Sequence, residues 1–255
     1  MKRLFVGIIG YVLLSSPFVF ADFSITAQPN QKDWEFLESV INYQSESESG
    51  ADIKSILSQA TMQELEVGIG GTFTQEVEIS PGAKKALSVE ITQILISVPL
   101  EKLLTVIPAN NWGQYLAHYL GGELRTVEVD SIGRPKRQIE RMVLSGLPFD
   151  LNVNFANQDM TKTEILIYGP TSTAVFWKVY HSDNDSTLTD LGKVEFRSYP
   201  QDSLKSLVTF YSAHKIQALG VEIPSPLTQI LLKKAFLDHL KQYKRISESK
   251  EDRKN

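Results

Sequence analysis

The chain has 255 residues, 42% of them hydrophobic and 22% charged, with a net charge of −4 and no cysteine. It is too apolar for a disordered chain, and the missing thiols exclude disulfide scaffolds, thiolate zinc sites, iron–sulfur clusters and cysteine nucleophiles. The weak negative charge offers no general attraction to phosphate, so no nucleic-acid partner is expected.

Met1-Lys2-Arg3 is a short basic start, Leu4 to Leu14 is apolar, and Ser15-Ser16-Pro17 breaks any helix ahead of Val19-Phe20-Ala21. This is the pattern of a secretory signal peptide over residues 1–21, with cleavage expected between Ala21 and Asp22. The apolar run is short of the roughly 20 residues that span a bilayer. The expected location is therefore the periplasm or the cell exterior. An exported chain without cysteine must hold together by core burial alone, which fits a bacterial periplasm better than eukaryotic secretion.

Gln31 to Tyr43 carries Trp34, Leu37, Val40 and Ile41 at helical spacing. Gln44 to Gly50 is an acidic linker, and Ala51 to Leu65 is expected as a second helix. Gly68-Ile69-Gly70-Gly71 breaks the chain but lacks the Lys-Ser/Thr of a phosphate loop. Thr72 to Ile79 and Leu87 to Val98 read as strands, with a turn at Pro81-Gly82. Pro99 opens a short helix with Leu100, Leu103, Leu104 and Ile107, and Pro108 ends it. A second short helix follows through Trp112, Tyr115, Leu116 and Tyr119 to Gly121-Gly122.

The period then changes to two. Glu123–Ser131, Gln138–Ser145, Phe149–Phe155, Thr163–Tyr168, Ala174–His181, Lys193–Tyr199 and Lys205–His214 are the expected strands, seven in all. Last comes a long helix, Pro226 to Ile246, whose Leu227, Leu231, Leu232, Ala235, Phe236, Leu240 and Tyr243 form a broad apolar stripe. Such a stripe must be covered, and the run of strands is the only large surface available.

Charge is uneven along the chain. Residues 22–80 carry 11 acids and 2 bases, residues 81–225 carry 15 and 14, and residues 226–255 carry 4 and 8. The basic end is read as a solvated helix face and tail, with transient contact to anionic lipid as the alternative.

Ile94-Leu95-Ile96-Ser97-Val98-Pro99-Leu100-Glu101-Lys102-Leu103-Leu104-Thr105-Val106-Ile107 is similar to the first strand and helix of the START-like (SRPBCC) superfamily. The next helix, with Trp112 and Tyr115, falls where these proteins often place an aromatic. The order of elements resembles the same family. The resemblance implies an α+β helix-grip fold, a curved antiparallel sheet wrapped around a long C-terminal helix, with two short helices after the first long strand. It also implies an apolar cavity between sheet and helix. On this reading residues 1–21 are the signal peptide, 22–70 an N-terminal helical extension, 71–246 the START-like domain and 247–255 a flexible charged tail. Seven strands after the helix pair exceed the family's usual six. A closed lipocalin-like barrel is the alternative architecture, opposed by the two-helix insertion.

The resemblance implies a hydrophobic small molecule or lipid as partner. The residues expected at its cavity are Trp112, Tyr115, Arg141, Tyr168, Trp177, Phe196, Tyr211 and Phe236. Arg141, between Ile139 and Val143 on one strand face, is either paired internally or an anchor for an anionic head group. Val175-Phe176-Trp177-Lys178-Val179-Tyr180 is apolar on both faces, so its outer face is either covered by the N-terminal helices or exposed to a partner.

No catalytic set, cofactor or metal site is expected. His118, His181, His214 and His239 are scattered without metal-binding spacing. Asp183-Asn184-Asp185 departs from a calcium loop at Thr187, Leu188 and Val194. No G-x-S-x-G occurs. The alternatives to a carrier are a polyketide cyclase-like enzyme, with Tyr168, Arg141 or His214 as acid or positioning group, and a non-catalytic interaction module.

Overall fold

The computed structural model describes residues 29–46, 60–80, 83–145, 148–149, 153–154, 157–182, 187–218, 221–222 and 224–249. The expected signal peptide, residues 51–59 of the expected second helix, the expected turn at 81–82, residues 183–186, and residues 250–255 of the expected tail lie outside the described residues.

Helix α1 spans Gln31–Glu46, further than expected, into the acidic linker. Helix α2 is Met62–Val67. Its start is set by a capping box: the Glu64 N–H donates to the Thr61 hydroxyl at 3.2 Å, and the Thr61 N–H donates to the Glu64 carboxylate at 2.8 Å. Gly68 closes α2 at φ +93, which glycine adopts without strain. Strand β1 (Ile69–Ser80) follows at once and pairs with β2 (Ala83–Ile96). Pro99 occupies the N-cap of α3 (Leu100–Val106), and a 3-10 helix follows at Ala109–Tyr115.

The strands after it are β3 (Tyr119–Val129), β4 (Pro135–Leu144), β5 (Pro148–Phe149), β6 (Val153–Asn154), β7 (Gln158–Tyr168), β8 (Ser172–Ser182), β9 (Thr187–Tyr199), β10 (Asp202–Ala218) and β11 (Val221–Glu222). Helix α4, Ser225–Ser249, ends the described chain and takes in the first residues of the expected tail.

One antiparallel sheet has the order β1-β2-β10-β9-β8-β7-β4-β3, with β11 beside β10. β1 and β3 are its unpaired edges among the described residues, so the sheet is open and the barrel alternative is excluded. The strand expected over Phe149–Phe155 is not in this sheet; its described residues form the separate pair β5–β6. A period-two pattern specifies a strand but not its partner. Thr163–Tyr168 and Ala174–His181 lie in two strands, β7 and β8, joined by a turn in which the Gly169 N–H donates to the Ser172 carbonyl at 2.8 Å. Six long strands, β3, β4, β7, β8, β9 and β10, therefore follow the helices in the main sheet, with the two-residue β11 added beside β10; the six long ones match the helix-grip pattern.

Helix α4 lies along β2, β1 and β10. It is tied at both ends: Gln229 donates to the Thr74 hydroxyl at 3.2 Å, and the Ser97 N–H donates to Glu248 at 2.9 Å. Strand alternation turns Ile94, Ile96, Val208, Phe210, Val194, Phe196 and Trp177 toward it, where they meet Phe236, Leu240 and Tyr243.

The opposite sheet face is covered by the N-terminal helices. Trp34 and Leu37 of α1 pack on Ile139, Ile165 and Phe176, while Phe36 and Val40 meet Leu87, Val89 and Leu191. Leu65 of α2 packs on Leu95, Tyr199 and Leu207. Ion pairs from Lys178 to Asp33 and from Arg137 to Glu38 hold α1 to β8 and β4. This cover explains why β8 reads apolar on both faces.

Candidate functional site

The face turned toward α4 is not uniformly apolar. The β4–β7 register places Glu140 opposite Lys162 and Gln138 opposite Glu164. Lys162 Nζ lies 2.9 Å from Glu140 Oε2 and 2.9 Å from Glu164 Oε1, and none of the three side chains is more than 2% exposed. Trp112 Nε1 donates to Glu164 at 2.9 Å, and the Trp112 ring centroid is 3.7 Å from the ammonium, a cation–π contact. Gln138 donates to Glu164 and, at 3.0 Å, to the Asn110 carbonyl. Tyr243 of α4 donates to the Trp112 carbonyl at 2.7 Å, locking the helix onto the 3-10 segment. Glu140 Oε1 and Gln138 Oε1 have no hydrogen-bond partner among the described residues.

Burial alone would lower the Lys162 ammonium, but the two carboxylates outweigh it and hold it above the ordinary lysine value. Burial pushes Glu140 well above the ordinary carboxylate range; Lys162 opposes that rise and Glu164 adds to it. The group is two carboxylates around one ammonium in an enclosed layer.

Gly113 is required by this packing. A Cβ there would sit 2.6 Å from both Glu140 carboxylate oxygens. Gly113→Ala should therefore cost about 1–3 kcal/mol by overpacking, read as a lowered denaturation midpoint. Gly113→Ala should cost less in a Glu140→Ala background than in the parent, because the colliding carboxylate is gone.

A second polar group lies on β2, β10 and β9. The register sets Ser212 between Glu90 and Gly192, and His214 between Ser88 and Asp190. Ser212 Oγ and His214 Nε2 are 2.8 Å apart, and His214 Nδ1 is 3.6 Å from Asp190 Oδ1. Trp177 Nε1 donates to the same Asp190 oxygen at 2.9 Å. Glu90 is buried with neither carboxyl oxygen hydrogen-bonded among the described residues, and burial, only partly opposed by Lys233, pushes it up to about 9. Phe236 of α4 packs on His214 at 5.5 Å and on His239 at 5.7 Å. Burial lowers both imidazoles, His239 to about 3. Trp177 joins the two groups, since its ring centroid is 5.1 Å from that of Trp112.

Of the residues expected at the cavity, Trp112, Trp177, Phe196 and Phe236 lie together in the layer under α4, with Tyr115 and Tyr168 packed at its margin. The Tyr168 hydroxyl donates to the Pro135 carbonyl at 2.9 Å, beneath the Arg134 guanidinium. Arg141 is elsewhere: it alternates with Glu140 and Met142, so it faces away from α4, where it pairs with Asp159. Of its two expected roles, the internal pair is the one formed. Tyr211 also faces away, against the Leu87–Leu191 cluster under α1. Among the described residues no cluster of three or more His, Asp or Glu is arranged to hold a metal ion.

No protein-family model matches the sequence, and no curated protein matches it. Solved structures do. Human StAR-related lipid transfer protein 5 aligns over 84% of this chain and 99% of its own, at a TM-score of 0.50 and 7% identity. The chain has the START-like fold. A START superfamily protein from Mycobacterium smegmatis aligns over 63% of this chain and 97% of its own, at a TM-score of 0.44 and 12% identity. An aromatase/cyclase from Streptomyces sp. R1128 aligns over 66% and 94%, at 0.43 and 10%. In START-like terms the Lys162 and His214 groups both lie on the sheet face that grips the last helix.

Proposed function

We propose that the chain binds a hydrophobic ligand such as a lipid between the inner sheet face and α4, in the periplasm after removal of residues 1–21. The observation that carries this is the Lys162–Glu140–Glu164 group inside an aromatic layer. Well-packed apolar residues in place of a buried ion pair are often neutral or stabilising, so stability alone gives no reason for it. A ligand site, by contrast, is an apolar lining with a few fixed polar groups, and the unpartnered oxygens of Glu140 and Gln138 are free to accept from a ligand's polar end. The fold shared with a human lipid transfer protein supports the same reading. Exposed Leu227 and Ile230 near the start of α4, with exposed Lys234 and Lys241 further along it, support brief contact with an anionic membrane.

The test is transfer of a fluorescent phospholipid from donor to acceptor vesicles. The protein should speed transfer, more so with anionic acceptors, and Leu227→Asp with Ile230→Asp should slow it roughly tenfold, about 1.4 kcal/mol of lost membrane affinity. Transfer no faster than without protein sinks the proposal. Export is tested separately by cell fractionation and intact mass, which should give a periplasmic chain beginning at Asp22.

A further inference from the structure

The ligand-binding reading makes no use of Ser212, His214 and Asp190, yet their arrangement is specific. Nε2 of His214 meets the Ser212 hydroxyl at 2.8 Å, and Nδ1 faces Asp190, whose oxygen is held from the other side by Trp177 at 2.9 Å. These are the two positions needed to activate a hydroxyl nucleophile: one ring nitrogen to take its proton, the other to fix the tautomer. The 3.6 Å separation of His214 from Asp190 is of the kind that tightens when substrate binds. Glu90 is the register neighbour of Ser212 on β2, buried and, among the described residues, without a hydrogen-bond partner on either oxygen. Held neutral by burial, it carries an O–H able to donate to a developing oxyanion, a use to which a buried carboxylic acid is suited.

We propose that this group hydrolyses carboxylic esters of long-chain apolar acids, with Ser212 as nucleophile, His214 as base and then acid, Asp190 positioning the imidazole, and Glu90 donating to the oxyanion. The proposal rests on the ligand-binding reading, because Phe236 of α4 covers His214 and the acyl chain must enter the layer beneath that helix. Ser212 Oγ bonds to the ester carbonyl carbon while its proton passes to Nε2, and the carbonyl π pair becomes the oxyanion. Collapse of this intermediate re-forms the carbonyl and breaks the bond to the alcohol, which leaves with the proton from Nε2. Water then attacks the acyl-Ser212 in the same way, releasing the carboxylic acid and restoring the Ser212 hydroxyl. No oxidant or reductant is involved.

The experiment treats the mature protein with dodecyl fluorophosphonate and, separately, with p-nitrophenyl dodecanoate. Quenching of tryptophan emission by 12-bromododecanol reports chain entry in parallel. The expected result is one phosphonyl adduct mapped to Ser212, absent in Ser212→Ala. His214→Gln should slow both labelling and ester hydrolysis by roughly 100-fold or more, the scale of a lost general base. The adduct position on the unsubstituted protein decides the nucleophile even if a variant fails to fold. Quenching without adduct or hydrolysis overturns the hydrolase and leaves ligand binding standing, as does an adduct whose rate is unchanged in His214→Gln. Neither quenching nor adduct overturns both.

Discussion

Lys162→Met should lower the unfolding free energy by about 3–5 kcal/mol, the usual loss when one partner of a buried ion pair is removed. The lysine is fully enclosed and lies 2.9 Å from each of two carboxylates. Without it Glu140 and Glu164, diagonal neighbours across β4 and β7, lose the cation they share, and the donors of Trp112 and Gln138 serve only Glu164. Because a domain's whole stability is about 5–15 kcal/mol, the variant should unfold at a much lower urea concentration. The triple variant Glu140→Leu, Lys162→Met, Glu164→Leu should recover most of the loss, since it leaves no buried charge. A single variant within about 1 kcal/mol of the parent would show that the ammonium is not held between the carboxylates.

Glu90 should make the protein lose stability as pH rises. Its folded-state value, pushed up to about 9 by burial, exceeds its ordinary value of 4.5. Between those limits the folded protein keeps a proton that the unfolded chain releases. The contribution is thus fully present below pH 4.5 and falls away until it is gone above pH 9. At about 1.4 kcal/mol per pKa unit, the loss between pH 5 and pH 9 is on the order of 5 kcal/mol. His214 and His239 act in the other direction. Their lowered values mean that the unfolded chain takes up protons first, so stability falls as the pH drops below 6.5, toward about 3 for His239. Together these groups place the stability maximum between about pH 5 and 6.5. Urea titrations across the pH range should show this maximum in the parent and a much flatter alkaline limb in Glu90→Gln. An alkaline limb unchanged in Glu90→Gln would contradict the burial of an uncompensated carboxyl.

Much of this architecture is legible in local pattern. Pro99 and Pro108 bracket α3, the spacing of Trp34, Leu37, Val40 and Ile41 marks α1, and the stripe from Leu232 to Tyr243 marks α4. The polar groups under α4 are not legible, for a physical reason. Both faces of the sheet are covered, so a charged residue on a strand no longer marks the wet side. Gln138 to Leu144 shows two alternating sets, one with Arg141 and one with Glu140, and only the position of α1 against Ile139 decides which faces inward. Arg141 and Tyr211 were expected inside for that reason and lie on the other face. Lys162 and Glu164 look like an ordinary solvated strand until the register with β4 sets them against Glu140 and Gln138. The Ser212, His214 and Asp190 group likewise depends on the pairing of β9 with β10. Ser212 and His214 share a strand face at two-residue spacing, which is the one local signal available.

The central claim, that the layer under α4 binds a hydrophobic ligand, is tested most directly by expressing the full 255-residue chain. The folded protein is then purified without detergent, extracted with organic solvent, and the extract analysed by mass spectrometry against a mock purification. A lipid or other apolar compound recovered near one equivalent per chain, and depleted in a Trp112→Ala, Phe236→Ala variant that remains folded, is the predicted result. An extract indistinguishable from the mock, from protein that also takes up no added lipid, would contradict it.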